Sequence, residues 1–160
     1  MTREERTQRH VIPLVALSAV LTGMSYLLMQ YALAWVCLIP MFYVLERQPA
    51  KGAALYGALY GAITASILYY WVIPVASSYA GGFTCHSLLV FAGLVAYFSI
   101  YGVVFGLGYH LLLRRSDNRV LAGVSTAALY VLLEALRTKL FPGSPWCHYT
   151  LACSQAQHSA

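Results

Sequence analysis

The sequence predicts an all-α integral membrane protein: a bundle of about five transmembrane helices, with the N-terminus cytoplasmic and the C-terminus periplasmic. The first observation behind this prediction is composition. Of 160 residues, 60% are hydrophobic and 9% are charged, whereas a typical soluble domain is about 25% charged. Ten basic and five acidic residues are too few to cover the surface of a soluble globule. Lipid is therefore the expected solvent.

The second observation is the length of the apolar stretches. A stretch of about 20 apolar residues crosses a hydrocarbon core as a helix. The predicted spans are residues 11–29, 31–45, 52–73, 87–113 and 120–141. A basic N-terminal segment, 1–10, precedes them, and an extracytoplasmic tail, 142–160, follows them and looks truncated.

Two of these spans have alternatives. Residues 11–29 could be a cleaved signal peptide, because Ala32-Leu33-Ala34 resembles a cleavage site, but the apolar run is longer than the usual 7–15 residues. Residues 31–45 are short and contain Pro40, so they form either a tilted return helix or a re-entrant segment. After the third span, the sequence from Pro74 through Ser77 and Ser78 to the glycines that follow predicts a loop.

The third observation is the placement of basic residues, which gives the bundle a direction. If residue 1 is cytoplasmic, the cytoplasmic segments 1–10, 46–51 and 114–119 hold three, two and three Lys or Arg residues, and the opposite loops hold none. Such an asymmetry is typical of the positive-inside rule. It also argues against a nucleic-acid partner, because a phosphate-binding surface would spread the charges over one face.

Small residues recur every fourth position in two spans. In the third span they form one ridge, and in the fourth span Gly102 and Gly106 repeat the pattern. The ridge consists of Ala53, Gly57, Gly61 and Ala65. Small residues at this spacing let helix backbones approach closely in lipid. Packing within the chain is the commoner use of this pattern, and a specific oligomer contact is the alternative.

Glu134 and Arg137 are the only charged residues deep in an apolar run that could pair. At positions i and i+3 they share one helix face. Charged residues inside a membrane are costly, which makes them candidates for function. The alternative is a self-neutralising pair that faces the other helices.

The cysteines and histidines give no metal site that we expect to be occupied. Cys85-His86 and Cys147-His148 lie on the predicted outer side, but adjacent residues rarely bind one metal together. A disulfide among Cys85, Cys147 and Cys153 is the more plausible chemistry in an oxidising compartment. We expect no metal and no cofactor.

Several stretches resemble the N-terminal membrane region of bacterial apolipoprotein N-acyltransferases. The main resemblance is a helix with Glu134 and Arg137 three residues apart, followed by a turn with Pro145-Trp146 and then by Ser154-Gln155. Weaker similarity is found at Tyr69-Tyr70-Trp71-Val72 and at Ala96-Tyr97-Phe98-Ser99-Ile100-Tyr101. The sequence departs from the family pattern at Ser144, where the family usually has Phe.

The resemblance implies a multi-pass protein of the bacterial inner membrane. Members of this family transfer a fatty acyl chain from phospholipid to the N-terminal cysteine of lipoproteins, through the Glu, Lys and Cys of a nitrilase-like domain that follows the membrane helices. The chain stops before that domain would begin, so no catalytic residue is carried over and we expect no activity from it alone. The partners implied are membrane phospholipid, a lipoprotein substrate or a separate nitrilase-like chain. Five residues are expected to contribute to the outer rim of a lipid route: Glu134, Arg137, Pro145, Trp146 and Trp71.

Two rival functions belong to other classes. One is a non-enzymatic anchor that recruits a separately encoded catalytic chain. The other is a small transporter module, for which Pro40 and His110 are the only hints and no inverted repeat is evident. A packing role is the simpler interpretation of His110.

Overall fold

The computed structural model describes residues 3–28, 33, 36–79, 85–115 and 118–140. Every regular element within this part of the chain is a helix. In chain order the helices are α1 (Arg3–Leu27), α2 (Ile39–Glu46), α3 (Ala50–Tyr69), α4 (Val72–Tyr79), α5 (Cys85–Arg115) and α6 (Arg119–Leu140). The prediction of an all-α fold is confirmed.

Three helical segments are long and apolar enough to cross a membrane: Ala50–Tyr69, Cys85–Arg115 and Val120–Arg137. A fourth apolar helical segment, Val11–Leu27, is shorter. The membrane-protein class is therefore confirmed. The count of five spans and the direction of the bundle stay predictions.

The distribution of side chains differs from that in a soluble protein, because many large apolar side chains are exposed as well. Large apolar side chains such as Leu55, Val120 and Leu132 are more than 60% exposed, whereas small polar residues such as Ser18 and Thr126 are buried. In lipid, apolar side chains gain nothing by leaving the surface, and buried hydroxyls can bond to the backbone. This arrangement fits a bundle whose surroundings are hydrocarbon.

One end of the bundle is filled by apolar side chains from α1, α2 and α3. Val15, Met41, Leu45 and Ala53 are fully buried in this cluster. Phe42 on α2 stacks on Tyr109 of α5, with ring centroids 5.3 Å apart. These contacts attach the short helix α2 to the longer helices.

The closest helix pair is α3 with α5, along the small-residue ridge. A Cβ atom added to Gly57 would fall on the carbonyl oxygen of Gly102, and one added to Gly106 would fall on that of Ala53. At Gly61 the added atom would lie 2.5 Å from the carbonyl oxygen of Phe98. Only glycine permits such an approach. The prediction that the ridge packs within the chain is confirmed, and we call this contact the glycine seam.

The predicted loop after the third span is wrong in its first part, because residues 72–79 form helix α4. Pro74 lies in the first turn of this helix, where a backbone N–H has no helical partner to lose. The Ser77 and Ser78 hydroxyls both donate to the Pro74 carbonyl oxygen, at 2.8 and 2.9 Å. Residues typical of a turn thus stabilise a short helix, which packs against α5.

Helix α6 begins with a capping interaction. The Asn118 side chain accepts a hydrogen bond from the backbone N–H of Val120 at 2.9 Å, as an N-cap residue does. The Thr126 hydroxyl donates to the Ala122 carbonyl oxygen one turn earlier. Both bonds satisfy polar groups within the helix itself.

Parts of two predicted segments lie outside the described residues. The predicted span 31–45 is described only in part, and the described part includes the first seven residues of α2. The tail 142–160 lies wholly outside. Whether residues 31–45 cross the membrane stays a prediction.

Candidate functional site

A cavity of about 80 Å³ lies among helices α1, α3, α5 and α6. Its walls are largely apolar, with Leu68, Phe98, Phe105 and Leu133 among them. Several polar side chains also line it: Thr22, Tyr26, Tyr60, Thr64, Tyr101, Tyr130, Glu134 and Arg137. An apolar cavity with a few polar groups is the usual form of a small-molecule site.

The wall formed by α1 and α3 is held by a short chain of hydroxyls. Thr22 and Tyr60 hydroxyl oxygens are 2.8 Å apart and share a hydrogen bond. The Thr22 hydroxyl also lies 2.9 Å from the Ser18 carbonyl oxygen, to which it donates. In that arrangement Tyr60 is the donor to Thr22. Both side chains are buried, so the bond ties α1 to α3 away from solvent.

Thr64, one turn after Tyr60 on α3, differs from Thr22 and Tyr60 in its hydrogen bonding. Its side chain is 8% exposed, and its hydroxyl oxygen makes no hydrogen bond of normal geometry in the described part of the chain. Its hydroxyl interacts with that of Tyr60, whose oxygen donates its proton to Thr22 and can still accept from Thr64. A buried polar group without a partner is costly, which makes Thr64 unusual among the residues that line the cavity.

The opposite wall carries the ion pair. Arg137 contacts the Glu134 carboxylate through a guanidinium nitrogen, as the i, i+3 spacing predicts. The guanidinium carbon also lies 5.1 Å from the centroid of the Phe98 ring on α5, within the range of a cation–π contact. The pair therefore faces the other helices and joins α6 to α5.

The ion pair lies near one end of the membrane-spanning part of α6. Arg137 is the last residue of the apolar segment Val120–Arg137. Thr64 is five residues before the end of α3, or about 8 Å along the helix axis. The cavity thus extends from the middle of α3, at Tyr60, toward the ends of α3 and α6, and in the predicted topology these are the outer ends.

The five predicted rim residues have different outcomes. Glu134 and Arg137 line the cavity together. Trp71 lies in the turn between α3 and α4, is 47% exposed and is not one of the lining residues. Pro145 and Trp146 are outside the described residues. A role for these five residues at the rim of a lipid route stays a prediction.

Sequence reasoning did not single out Thr22 or Thr64. The signal that could have found them is a hydroxyl in the outer half of an apolar span, because polar groups inside a membrane favour the bundle interior. That signal is weak, since several other Ser and Thr residues in these helices share it. Only the packing distinguishes those that reach the cavity.

The described residues contain no cluster of three or more His, Cys, Asp or Glu side chains that could hold a metal ion. Cys37 is buried and Cys85 is exposed, and neither forms a disulfide within the described residues. Cys147 and Cys153, with which Cys85 could form a disulfide, lie outside the described part of the chain.

Comparison with known proteins adds one match. The family model of the apolipoprotein N-acyltransferase N-terminal domain matches residues 17–160. No curated protein and no solved structure matches the chain. The family match covers all six helices except the first part of α1, and it includes every residue that lines the cavity. The chain therefore belongs to the family of the apolipoprotein N-acyltransferase N-terminal domain.

Proposed function

We propose that this chain is the membrane domain of a protein that carries out phospholipid-to-lipoprotein N-acyl transfer in the bacterial inner membrane. The helices would anchor a nitrilase-like catalytic domain at the outer face and shape a lateral route for the lipid. The observation that carries this proposal is the family match over residues 17–160. The membrane-spanning helices support it, because they provide the lipid contact that such a substrate requires.

We further propose that these 160 residues do not perform the acyl transfer themselves. Acyl transfer through a thiol needs a nucleophile activated by an adjacent base. Glu134 is engaged with Arg137, and neither Cys37 nor Cys85 lines the cavity that holds this pair. The chemistry would therefore be done by a catalytic domain joined to these helices or supplied as a separate chain.

A pair of acyl-transfer assays tests both statements. The purified 160-residue chain, given phospholipid and a diacylated lipopeptide, is expected to produce no triacylated product. A chimera in which residues 1–160 replace the corresponding membrane region of an active apolipoprotein N-acyltransferase is expected to retain measurable transfer. A control chimera carries an unrelated bundle with the same number of spans.

The outcomes separate the alternatives. Transfer by the 160 residues alone would overturn the assignment of the chemistry to another domain. Equal activity of the test chimera and the control chimera would show that the helices are a generic anchor, and would overturn the lipid-route role. Loss of transfer in both chimeras, with correct insertion shown by protease protection, would also count against the proposal.

A further inference from the structure

Thr64 and Ser87 carry the two buried side-chain hydroxyls of the described residues that have no hydrogen-bond partner, and of these only Thr64 lines the cavity. Other Ser and Thr residues within these helices donate to the carbonyl oxygen four residues earlier, at 2.8–2.9 Å. This bond is the ordinary way to satisfy a helical hydroxyl in lipid. Thr64 has the same opportunity on α3 and does not take it, although it is more than nine-tenths buried. A hydroxyl without a hydrogen bond of normal geometry can turn from its contact with Tyr60 to donate to a molecule in the cavity.

The facing wall supplies further donors. A guanidinium carries five N–H donors, more than the single contact of Arg137 with Glu134 uses. The charge of Arg137 is balanced by that carboxylate, so the site has donors without a large net charge. Donors of this kind fit a neutral acceptor such as an ester carbonyl better than a free anion.

Size and depth limit the ligand further. A volume of about 80 Å³ is well below the roughly 300–1,000 Å³ of pockets that hold drug-sized ligands. The cavity can hold a few non-hydrogen atoms but not an acyl chain. Its polar residues Thr64 and Arg137 lie toward the ends of α3 and of the apolar segment of α6, which are the outer ends in the predicted topology. Ester carbonyls of diacyl lipids lie at this depth.

We infer that this cavity binds one ester group of a diacyl lipid, with the Thr64 hydroxyl donating to its carbonyl oxygen. This inference rests on the proposed function, because it names the part of the lipid that the membrane domain holds. Glu134 and Arg137 form the other side of the site, and the apolar walls accept the first methylene groups. The acyl chains themselves remain in the bilayer.

The test uses the full chain in mixed micelles and compares two lipids with the same headgroup and chain length. One is a diacyl phospholipid, and the other is its dialkyl ether analogue, which lacks both carbonyl oxygens. Native mass spectrometry with the two lipids at equal concentration gives the ratio of bound ester to bound ether. We expect a preference for the ester of about five- to tenfold, the ratio that one net hydrogen bond provides.

Two variants assign this preference to Thr64. Thr64→Val keeps the shape of the side chain and removes the hydroxyl, and is expected to reduce the preference to less than about twofold. Its unfolding midpoint should be unchanged or higher, because an unpaired buried hydroxyl has been removed. The matched control is Thr126→Val, which removes a buried hydroxyl that is bonded within α6 and does not line the cavity. This control should keep the wild-type preference.

Competition with a diacylglyceryl-cysteine lipopeptide identifies the source of the ester. Displacement of phospholipid by the lipopeptide assigns the cavity to the lipoprotein side of the reaction, and resistance to displacement assigns it to the phospholipid side. Equal binding of ester and ether lipids by the wild-type chain would overturn the inference and would indicate a cavity filled by water. Retention of the preference in Thr64→Val would also overturn it. These readouts measure lipid binding and involve no acyl transfer. The ester preference can therefore be absent while the chimera is active, and it can be present while the chimera is inactive.

Discussion

Two neighbouring regions along helix α3 form different kinds of contact within one bundle. Along the glycine seam, α3 and α5 meet backbone to backbone at Gly57 and Gly102. At the cavity, the same two helices are joined by α1 and α6, and large or polar side chains hold the four apart. Gly61 and Gly102 belong to both regions, so the seam leads directly into the cavity. Close packing and an unfilled volume therefore lie side by side between the same two helices.

This difference predicts which substitutions destabilise each region. The seam depends on the absence of side chains, so it should be broken by added volume. The cavity depends on specific polar atoms, so it should be altered by the loss of a charge or a hydroxyl. Three predictions for the stability of the chain in mixed micelles test this contrast, in order of decreasing effect.

The largest effect is expected for Gly57→Val. The new side chain would overlap the Gly102 carbonyl, which is backbone and cannot rotate away. We expect the free energy of unfolding to fall by about 3 kcal/mol or more, at the upper end of overpacking effects. The measurement is a denaturant titration in micelles.

Gly93→Val on α5 is the matched control for the seam. No atom lies within 4 Å of the position of its added Cβ. The change should stay within about 0.5 kcal/mol, the scale of helix propensity. Similar destabilisation in both variants would show that the loss of glycine, not the seam, is responsible.

The second effect concerns the ion pair. Glu134→Leu leaves Arg137 without its partner at a side-chain exposure of only 15%. We expect a loss of about 2–3 kcal/mol, below the range for fully buried pairs because both side chains keep some exposure. The double variant Glu134→Leu/Arg137→Leu should be more stable than the single variant, since it removes the unpaired charge. Additive losses in the double-mutant cycle would show that the two residues are not coupled.

The smallest effect is expected for Tyr60→Phe. This change removes the hydroxyl that is bonded to Thr22 and leaves the ring in place. The expected cost is about 1 kcal/mol, the usual net contribution of one hydrogen bond. Tyr70→Phe is the control, because Tyr70 is 60% exposed on the turn after α3, and it should change nothing measurable. An equal effect of both variants would argue against the α1–α3 bond.

Sequence patterns predicted the glycine seam and, in the candidate site, the pairing of Glu134 with Arg137. The four-residue spacing of Gly57, Gly61, Gly102 and Gly106 predicted helix packing, because in lipid small residues are the main local signal for close approach. The spacing of a glutamate and an arginine at i and i+3 predicted their contact for an equally local reason. The residues from Pro74 onward predicted a loop but form a short helix, because the same residues that favour a turn can also begin a helix.

The sequence by itself determined the solvent of this protein, its helical class and the pairing of its buried charges. These properties follow from composition and from spacing along one helix, and they need no knowledge of which helices are neighbours. Only the tertiary structure decided that Thr22, Thr64 and the Glu134–Arg137 pair line one cavity, because they lie on three helices far apart in the chain. It also decided that the Thr64 hydroxyl, which lines that cavity, makes no hydrogen bond of normal geometry within the described residues. Such a property depends on what surrounds a side chain in space, and a linear pattern does not record it.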